Sequence, residues 1–467
     1  MNFKLTQSLT KMIGFLTVLL FGAVQVSWAQ VDAAAFEKLT DENKELREMV
    51  EKLGAKVDRL EGRVESLPQG AGVAVPSGGQ EGDGVLRTQG GDIRMSGFID
   101  TSVNWNMASP GTGPQTGPAP AGDNSTGNTT LRAFDRESDT FDLNNIQLTL
   151  ERPAPTDGGV GFKTEFVYGT DAQVIESAGF LGGTGTVGGT DEFSIQEAYA
   201  EIKVPIGTGL TVWAGKFATL HGAEVIENYM NWNASRSLLF TLAIPFTHTG
   251  VRAFYNFLDG KIQTGVGLVN GWDNAIDNNE PKDIEAMVKW VPNENFFIAE
   301  NFMVGSQTAD DRDRQRWLFD TVAGWTPLPQ DLPKLKLMAN LDYGVEERLG
   351  QTTFPAPPAG RREGGAAEWI GYALYAKYEL TDKVTLAARW EQFWDDQGVR
   401  AGGTVDDIWE MTYSLDYKIW QNLLARFEYR HDAVSNTSDA GGRLGPFDRA
   451  TESDQDTIGA WLIYLFG

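Results

Sequence analysis

The 467-residue chain holds 53 Gly, 25 Phe, 14 Trp, three His and no Cys, and carries a formal net charge of −25. The lack of cysteine excludes a disulfide framework, a lipid-bearing N-terminal cysteine, thiolate metal sites and covalent c-type haem, and so large an acidic excess gives no electrostatic reason to bind nucleic acid. A mean hydropathy of −0.29 and the lack of a later apolar run of about 18 residues exclude a helical membrane bundle. They do not exclude a barrel, whose strands alternate lipid-facing and lumen-facing residues and so average out as polar.

Residues 1–29, "MNFKLTQSLTKMIGFLTVLLFGAVQVSWA", read as a secretory signal peptide. Lys4 and Lys11 precede an apolar stretch from Met12 to Val24, and Ser27 and Ala29 have the spacing that a signal peptidase accepts. Cleavage would leave Gln30 first.

Residues 30–67 form heptads. Phe36, Asn43, Val50, Val57 and Val64 fall at a, and Leu39, Leu46, Leu53, Leu60 and Leu67 at d, so one helix seam is almost continuously apolar. The pairs Glu42 with Arg47 and Lys56 with Glu61, from g to the following e, support parallel self-association. Residues 68–92, rich in Gly with two prolines and no periodicity, read as a flexible linker.

From Ile93 to Gly467 the pattern is two-residue alternation. In "DDIWEMTYSLDYKIW", Trp409, Met411, Tyr413, Leu415, Tyr417 and Ile419 oppose Glu410, Thr412, Ser414, Asp416 and Lys418. The same split separates Leu423, Ala425, Phe427 and Tyr429 from Arg426, Glu428 and Arg430, and Leu341, Tyr343 and Val345 from Asn340, Asp342 and Glu346.

About sixteen such segments are expected, beginning near Ile93, Asp139, Gly159, Phe193, Gly209, Thr247, Lys261, Asp283, Asn295, Arg316, Lys334, Ala367, Lys383, Asp406, Asn422 and Asp456. The segments around Phe296 and Trp317 have ambiguous faces. Long polar connections alternate with tight ones such as "APTDGG", "IGTG" and "LDG", as long external loops alternate with short periplasmic turns. The closing "WLIYLFG" puts Ala460, Leu462, Tyr464 and Phe466 on one apolar stripe. The fold class expected is all-β: a transmembrane antiparallel up-and-down β-barrel of about 16 strands, preceded by a periplasmic α-helical coiled coil.

Three stretches, "WAGKFATLHGAEVIENYMNWNASRSLLFTLAIPFTHTG", "LVNGWDNAIDNNE" and "LARFEYRHD", resemble the OmpL-like β-barrel porin family. The resemblance spans roughly Ile93 to Gly467 and implies an outer-membrane channel; it supplies no solute. Porins with comparable N-terminal coils are usually trimers, whereas Val at a with Leu at d favours dimers; a homo-trimer is expected over a dimer.

In sixteen-stranded porins the loop between the fifth and sixth strands folds into the lumen. Here that segment contains "GAEVIENYM", in which a short helix would place Glu224 and Glu227 on one face. Both would face lumenal arginines such as Arg252, Arg389, Arg426 and Arg430, giving a transverse field across a narrow pore. The alternative is that these carboxylates are solvated and the arginines pair with wall neighbours such as Glu391 and Glu428.

The function expected is a porin in the outer membrane of a Gram-negative cell, passing small hydrophilic solutes or ions passively, with outer-membrane lipid around it and no cofactor. A structural anchor, or a sheath for a multihaem cytochrome, is the alternative. Catalysis is not expected. Of the three histidines, His221 and His248 flank the constriction segment and His431 sits near a strand end, with no hydrolase or nucleotide motif beside them.

Overall fold

The computed structural model describes residues 85–88, 91–107, 131–178, 192–348, 365–401, 407–435, 447 and 452–467. The signal peptide, the coiled coil and residues 68–84 of the linker lie outside them.

Seventeen strands are described: β1 (Val85–Thr88), β2 (Gly91–Asn106), β3 (Thr140–Arg152), β4 (Gly159–Tyr168), β5 (Phe193–Val204), β6 (Leu210–Ala218), β7 (Thr247–Phe257), β8 (Ile262–Val269), β9 (Asp283–Asn293), β10 (Phe296–Gly305), β11 (Arg316–Trp325), β12 (Leu335–Arg348), β13 (Gly365–Glu379), β14 (Val384–Trp394), β15 (Asp407–Trp420), β16 (Leu423–Val434) and β17 (Asp454–Phe466). Strands β2 to β17 pair antiparallel with their sequence neighbours, and β17 closes on β2 from Thr457↔Asn106 to Phe466↔Gly97. The result is a closed sixteen-stranded barrel with no free edge. Every barrel strand starts within two residues of the position expected from alternation. One element was not foreseen: β1 lies inside the stretch read as linker and pairs with the start of β2.

The polarity of the barrel is the reverse of a soluble protein's. Val251, Val266, Leu268, Val288 and Phe427 on the outside are 50–57% exposed, whereas Arg252, Arg389, Arg426 and Arg430 inside are each 1% exposed. An apolar belt around a charged interior is the solution for a closed sheet whose outer solvent is lipid. The C-terminal stripe behaves as expected, with Leu462 and Tyr464 exposed and Trp461 and Ile463 turned inward.

The two ambiguous strands now have faces. β10 and β11 turn Met303 and Leu318 inward, into an apolar cluster that includes Leu238, Leu239 and Phe240. On the outside of β10, Glu300 is exposed and accepts a hydrogen bond from Thr321 Oγ1 at 2.8 Å. Apolar residues inside and a carboxylate outside blur the alternation.

Turns on one end are short, as at residues 205–209 and 258–261; those on the other end are long. One long connection carries the short helix α1 (Thr170–Ile175). Another, residues 219–246 between β6 and β7, turns into the lumen.

Candidate functional site

Segment 219–246 has little regular structure: a 3-10 turn at Asn228–Met230 and a π-helical turn at Leu239–Ala243. The helix expected around Glu224 and Glu227 is not formed, because its backbone groups find partners on the wall. A buried irregular backbone must satisfy its donors and acceptors elsewhere, and here barrel side chains do so.

Wall carboxylates take the segment's N–H groups. Gly222 N donates to Asp320 Oδ2 at 2.9 Å, Ala234 N and Ser235 N to Glu428 at 2.6 and 2.9 Å, and Leu238 N and Leu239 N to Glu391 at 2.6 and 3.2 Å. Ala223 N donates to the amide oxygen of Asn340 at 3.0 Å. Wall guanidinium groups take its carbonyls. Arg389 donates to Ser235 O at 2.7 Å, Arg426 to Asn228 O and Asn231 O at 3.0 and 2.9 Å, and Arg430 to Arg236 O at 2.6 Å. The segment is thereby fastened to β11, β12, β14 and β16.

Its apolar half fills what the charges leave. Leu238, Leu239, Phe240 and Ile244 join Phe217, Trp369 and Phe393 in one buried cluster, and Trp369 Nε1 donates to Ala243 O at 3.3 Å. Gly371 makes the approach possible: a Cβ there would stand 2.8 Å from Leu239 Cδ1 and 2.9 Å from the Phe393 ring.

The six residues expected at a constriction therefore separate. Glu224 and Arg389 meet directly, Nη1 to Oε1 at 2.7 Å, with Arg389 also bonded to Glu410 at 2.6 Å. Glu224 is buried at 5% exposure, so it is not a solvated loop charge. Arg426 and Arg430 lie against the segment but meet its carbonyls rather than its carboxylates; their acidic partners are Asp416 and Asp432, at 2.6 Å each.

Arg252 does not face the segment's glutamates. It forms a double hydrogen bond with Glu285 of β9, at 2.6 and 2.9 Å, across Gly267 of the intervening strand. Any side chain at position 267 would collide with that carboxylate, its Cβ only 2.2 Å from Glu285 Oε1.

Glu227 meets no arginine among the described residues. It accepts from Gln196 Nε2 at 2.5 Å, and Gln196 also donates to Glu165 at 3.0 Å. Lys163 bridges Glu165 and Glu197 at 2.8 and 2.6 Å. This β4–β5 side is the more open one: the Lys163 side chain keeps 28% exposure, against 0% for Arg389.

Sequence reading named Glu391 and Glu428 only as wall partners for the arginines and missed that wall side chains receive the segment's backbone. Asp320, Asn340, Glu391 and Glu428 all occupy inward positions of the alternation, which was the available signal. What each one meets depends on how the sheet closes.

The histidines do not converge on one catalytic arrangement. His221 Nδ1 and His248 Nε2 both contact Thr219 Oγ1, at 3.1 and 3.2 Å, while His431 lies on β16 beside Asp456 at 2.9 Å. Burial, with His248 and Arg252 nearby, holds the His221 imidazole well below the usual histidine range. A depressed imidazole is neutral when folded, so its contribution is present above the unfolded value of about 6.5 and is lost as pH falls through it, because only the unfolded chain takes up the proton. The unfolding midpoint of the detergent-solubilised barrel should fall between pH 7 and pH 5, and by less in His221→Phe. Equal falls in both proteins would show that His221 does not contribute.

A comparison with protein families matches residues 92–466 to the family described as "Putative beta-barrel porin-2, OmpL-like". No curated protein sequence matches the chain. Three solved structures are similar in fold. The outer membrane channel DcaP of Acinetobacter baumannii is 14% identical with a TM-score of 0.52, over 82% of this chain and 99% of that one. The anion-selective porin from Comamonas acidovorans is 11% identical with a TM-score of 0.51, over 80% and 99%. Salmonella typhi OmpF, in complex with daunomycin, is 12% identical with a TM-score of 0.53, over 82% and 100%. Identities this low carry the fold and nothing about solute.

Proposed function

The chain belongs to the OmpL-like β-barrel porin family, and from that premise we propose that it is a passive channel of the outer membrane for small hydrophilic solutes or ions, narrowed by segment 219–246. The observation that carries this reading is a charged interior spanned by a segment whose backbone is bonded to the wall, with the remaining exposure on the β4–β5 side. Glu165, Glu197 and Glu227, with Lys163 between the first two and Lys216 near Glu197, leave that side acidic by one charge, so the passage favours cations. This is the opposite sense to the anion-selective Comamonas porin, as expected where only the fold is shared.

The reading is non-enzymatic. A sheath around a haem protein would need an open bore, and packing of segment 219–246 on β11 to β16 argues against one. Self-association runs through the heptads of residues 30–67, in the periplasm, with a trimer favoured over a dimer.

The test is single-channel recording of the purified mature protein in a planar bilayer under a KCl gradient. Discrete steps with a cation-preferring reversal potential are expected. A folded barrel that never conducts would overturn the reading.

A further inference from the structure

Asn301, Asp320 and Asp342 stand abreast on three adjacent strands, Asn301 opposite Asp320 and Asp320 opposite Asp342. All three point inward, at 4%, 0% and 0% exposure. The next residue in the row, Gly371 of β13, offers no side chain.

The hydrogen bonds around this row are incomplete. Asp320 is well supplied: it accepts from Asn301 Nδ2 and Asn340 Nδ2 at 2.6 Å each and from Gly222 N at 2.9 Å. Asp342 Oδ1 receives a long bond from Asn340, at 3.4 Å, and the only other side chain within hydrogen-bonding reach of this carboxyl among the described residues is that of Asp320, itself an acid. Asp342 Oδ2 and Asn301 Oδ1 are buried with no hydrogen-bond partner among the described residues.

Charge is also unbalanced. Some buried acids of the interior meet a guanidinium group, Glu285 with Arg252, Glu410 with Arg389 and Asp432 with Arg132, at 2.6, 2.6 and 2.7 Å, and others, such as Asp395 and Glu428, are supplied by backbone N–H groups. Asp320 and Asp342 have each other as neighbours, with Glu391 the next charge to Asp342 and no lysine or arginine among the groups that act on them most strongly. Two carboxylates side by side in a dry site cannot both stay ionised without positive charge between them.

We propose that this row is a binding site for one hard divalent cation of the calcium class, held by the Asp320 and Asp342 carboxylates and by the Asn301 amide turned over, so that its oxygen takes the place of Nδ2 beside Asp320. Every donor is oxygen, which selects hard cations over zinc or copper. The donors come from an irregular set of side chains, which suits the permissive coordination of calcium better than the strict octahedron of magnesium.

The cation would do more than neutralise. Asp320 also holds Gly222 N, and Asn340, bonded to both acids, holds Ala223 N. An ion at this row therefore fixes the wall groups that grip the start of segment 219–246, a latch on the constriction. The inference needs only the barrel and its inward row, so its test reads binding and not conduction.

The test is calorimetric titration of the chelator-treated, full-length, folded protein with CaCl2, with melting followed in EDTA, Ca2+ and Mg2+. Wild type should bind Ca2+ and melt later in Ca2+ than in Mg2+. Asp342→Asn should weaken that affinity by about tenfold or more, since affinity follows ligand charge. Asn301→Asp, which adds a third carboxylate, should strengthen it. The Asp454→Asn/Asp456→Asn double variant, which removes the two acids beside His431, should leave the affinity unchanged.

Lack of Ca2+ affinity, or affinity untouched by both row variants, would overturn the site and leave a proton shared between the two carboxylates. Should Asp342→Asn fail to fold, Asn301→Asp decides alone, because a third acid strengthens binding only if a cation is there to be bound.

Discussion

Arg389→Met should give larger and noisier current steps than wild type and an earlier unfolding midpoint. Arg389 is the only guanidinium group of the described residues within 4 Å of a carboxylate of the constriction segment, and it has no exposed atom to spare. It holds Glu224 and Ser235 O at 2.7 Å and Glu410 at 2.6 Å, with Thr412 Oγ1 at 3.2 Å. Removing it leaves Glu224 and Glu410 buried, with only the Arg430 guanidinium, 3.5 Å from Glu410, nearby. Breaking a buried ion pair from one side costs about 3–5 kcal/mol, because the surviving charge stays desolvated. The cheapest relief is for the segment to leave the wall, which widens the passage. Adding Glu224→Gln removes one stranded charge, so the double variant should recover part of the stability that Arg389→Met loses. Strict additivity of the two changes would show that the pair is not coupled.

Glu227→Lys should move the reversal potential from cation-preferring towards anion-preferring, with little change in stability. Glu227 is half-buried and accepts its hydrogen bond from the Gln196 amide, so little is stranded by its loss. Counting Lys163 and Lys216 against Glu165, Glu197 and Glu227, the balance would pass from three carboxylates and two cations to two carboxylates and three cations. A partly exposed charge acts on passing ions through a screened field, so the shift should shrink as salt is raised. The check is the reversal potential of wild type and variant at the same KCl gradient, at low and high mean salt. An unchanged potential would place the ion path away from the β4–β5 wall.

The barrel was legible in the sequence because its two solvents differ. Lipid outside and charge inside write a period of two into nearly every strand, and residues such as Phe427 and Arg426 each announce their own face. Alternation failed where the interior is apolar, at Met303 and Leu318, since these pack against Leu238 and Leu239 of a segment some 60 positions or more away.

Pairing around the circumference was less legible. Arg252 points inward, but its partner Glu285 lies two strands away across Gly267, and only the closed register brings the two together. The helix expected at Glu224 and Glu227 rested on local spacing. Local spacing carries no information about Asp320, Asn340 and Glu428, which offer the backbone better-placed partners than the next turn of a helix would.

The central claim is that segment 219–246 lies in the path of the current. Since the chain has no cysteine, Met230→Cys, at an exposed position of the segment's 3-10 turn, would give it a single thiol. Single-channel conductance of that variant, recorded before and after a bulky, water-soluble, charged thiol reagent, should drop in discrete steps while wild type does not respond. Complete labelling with no change in conductance would contradict the account.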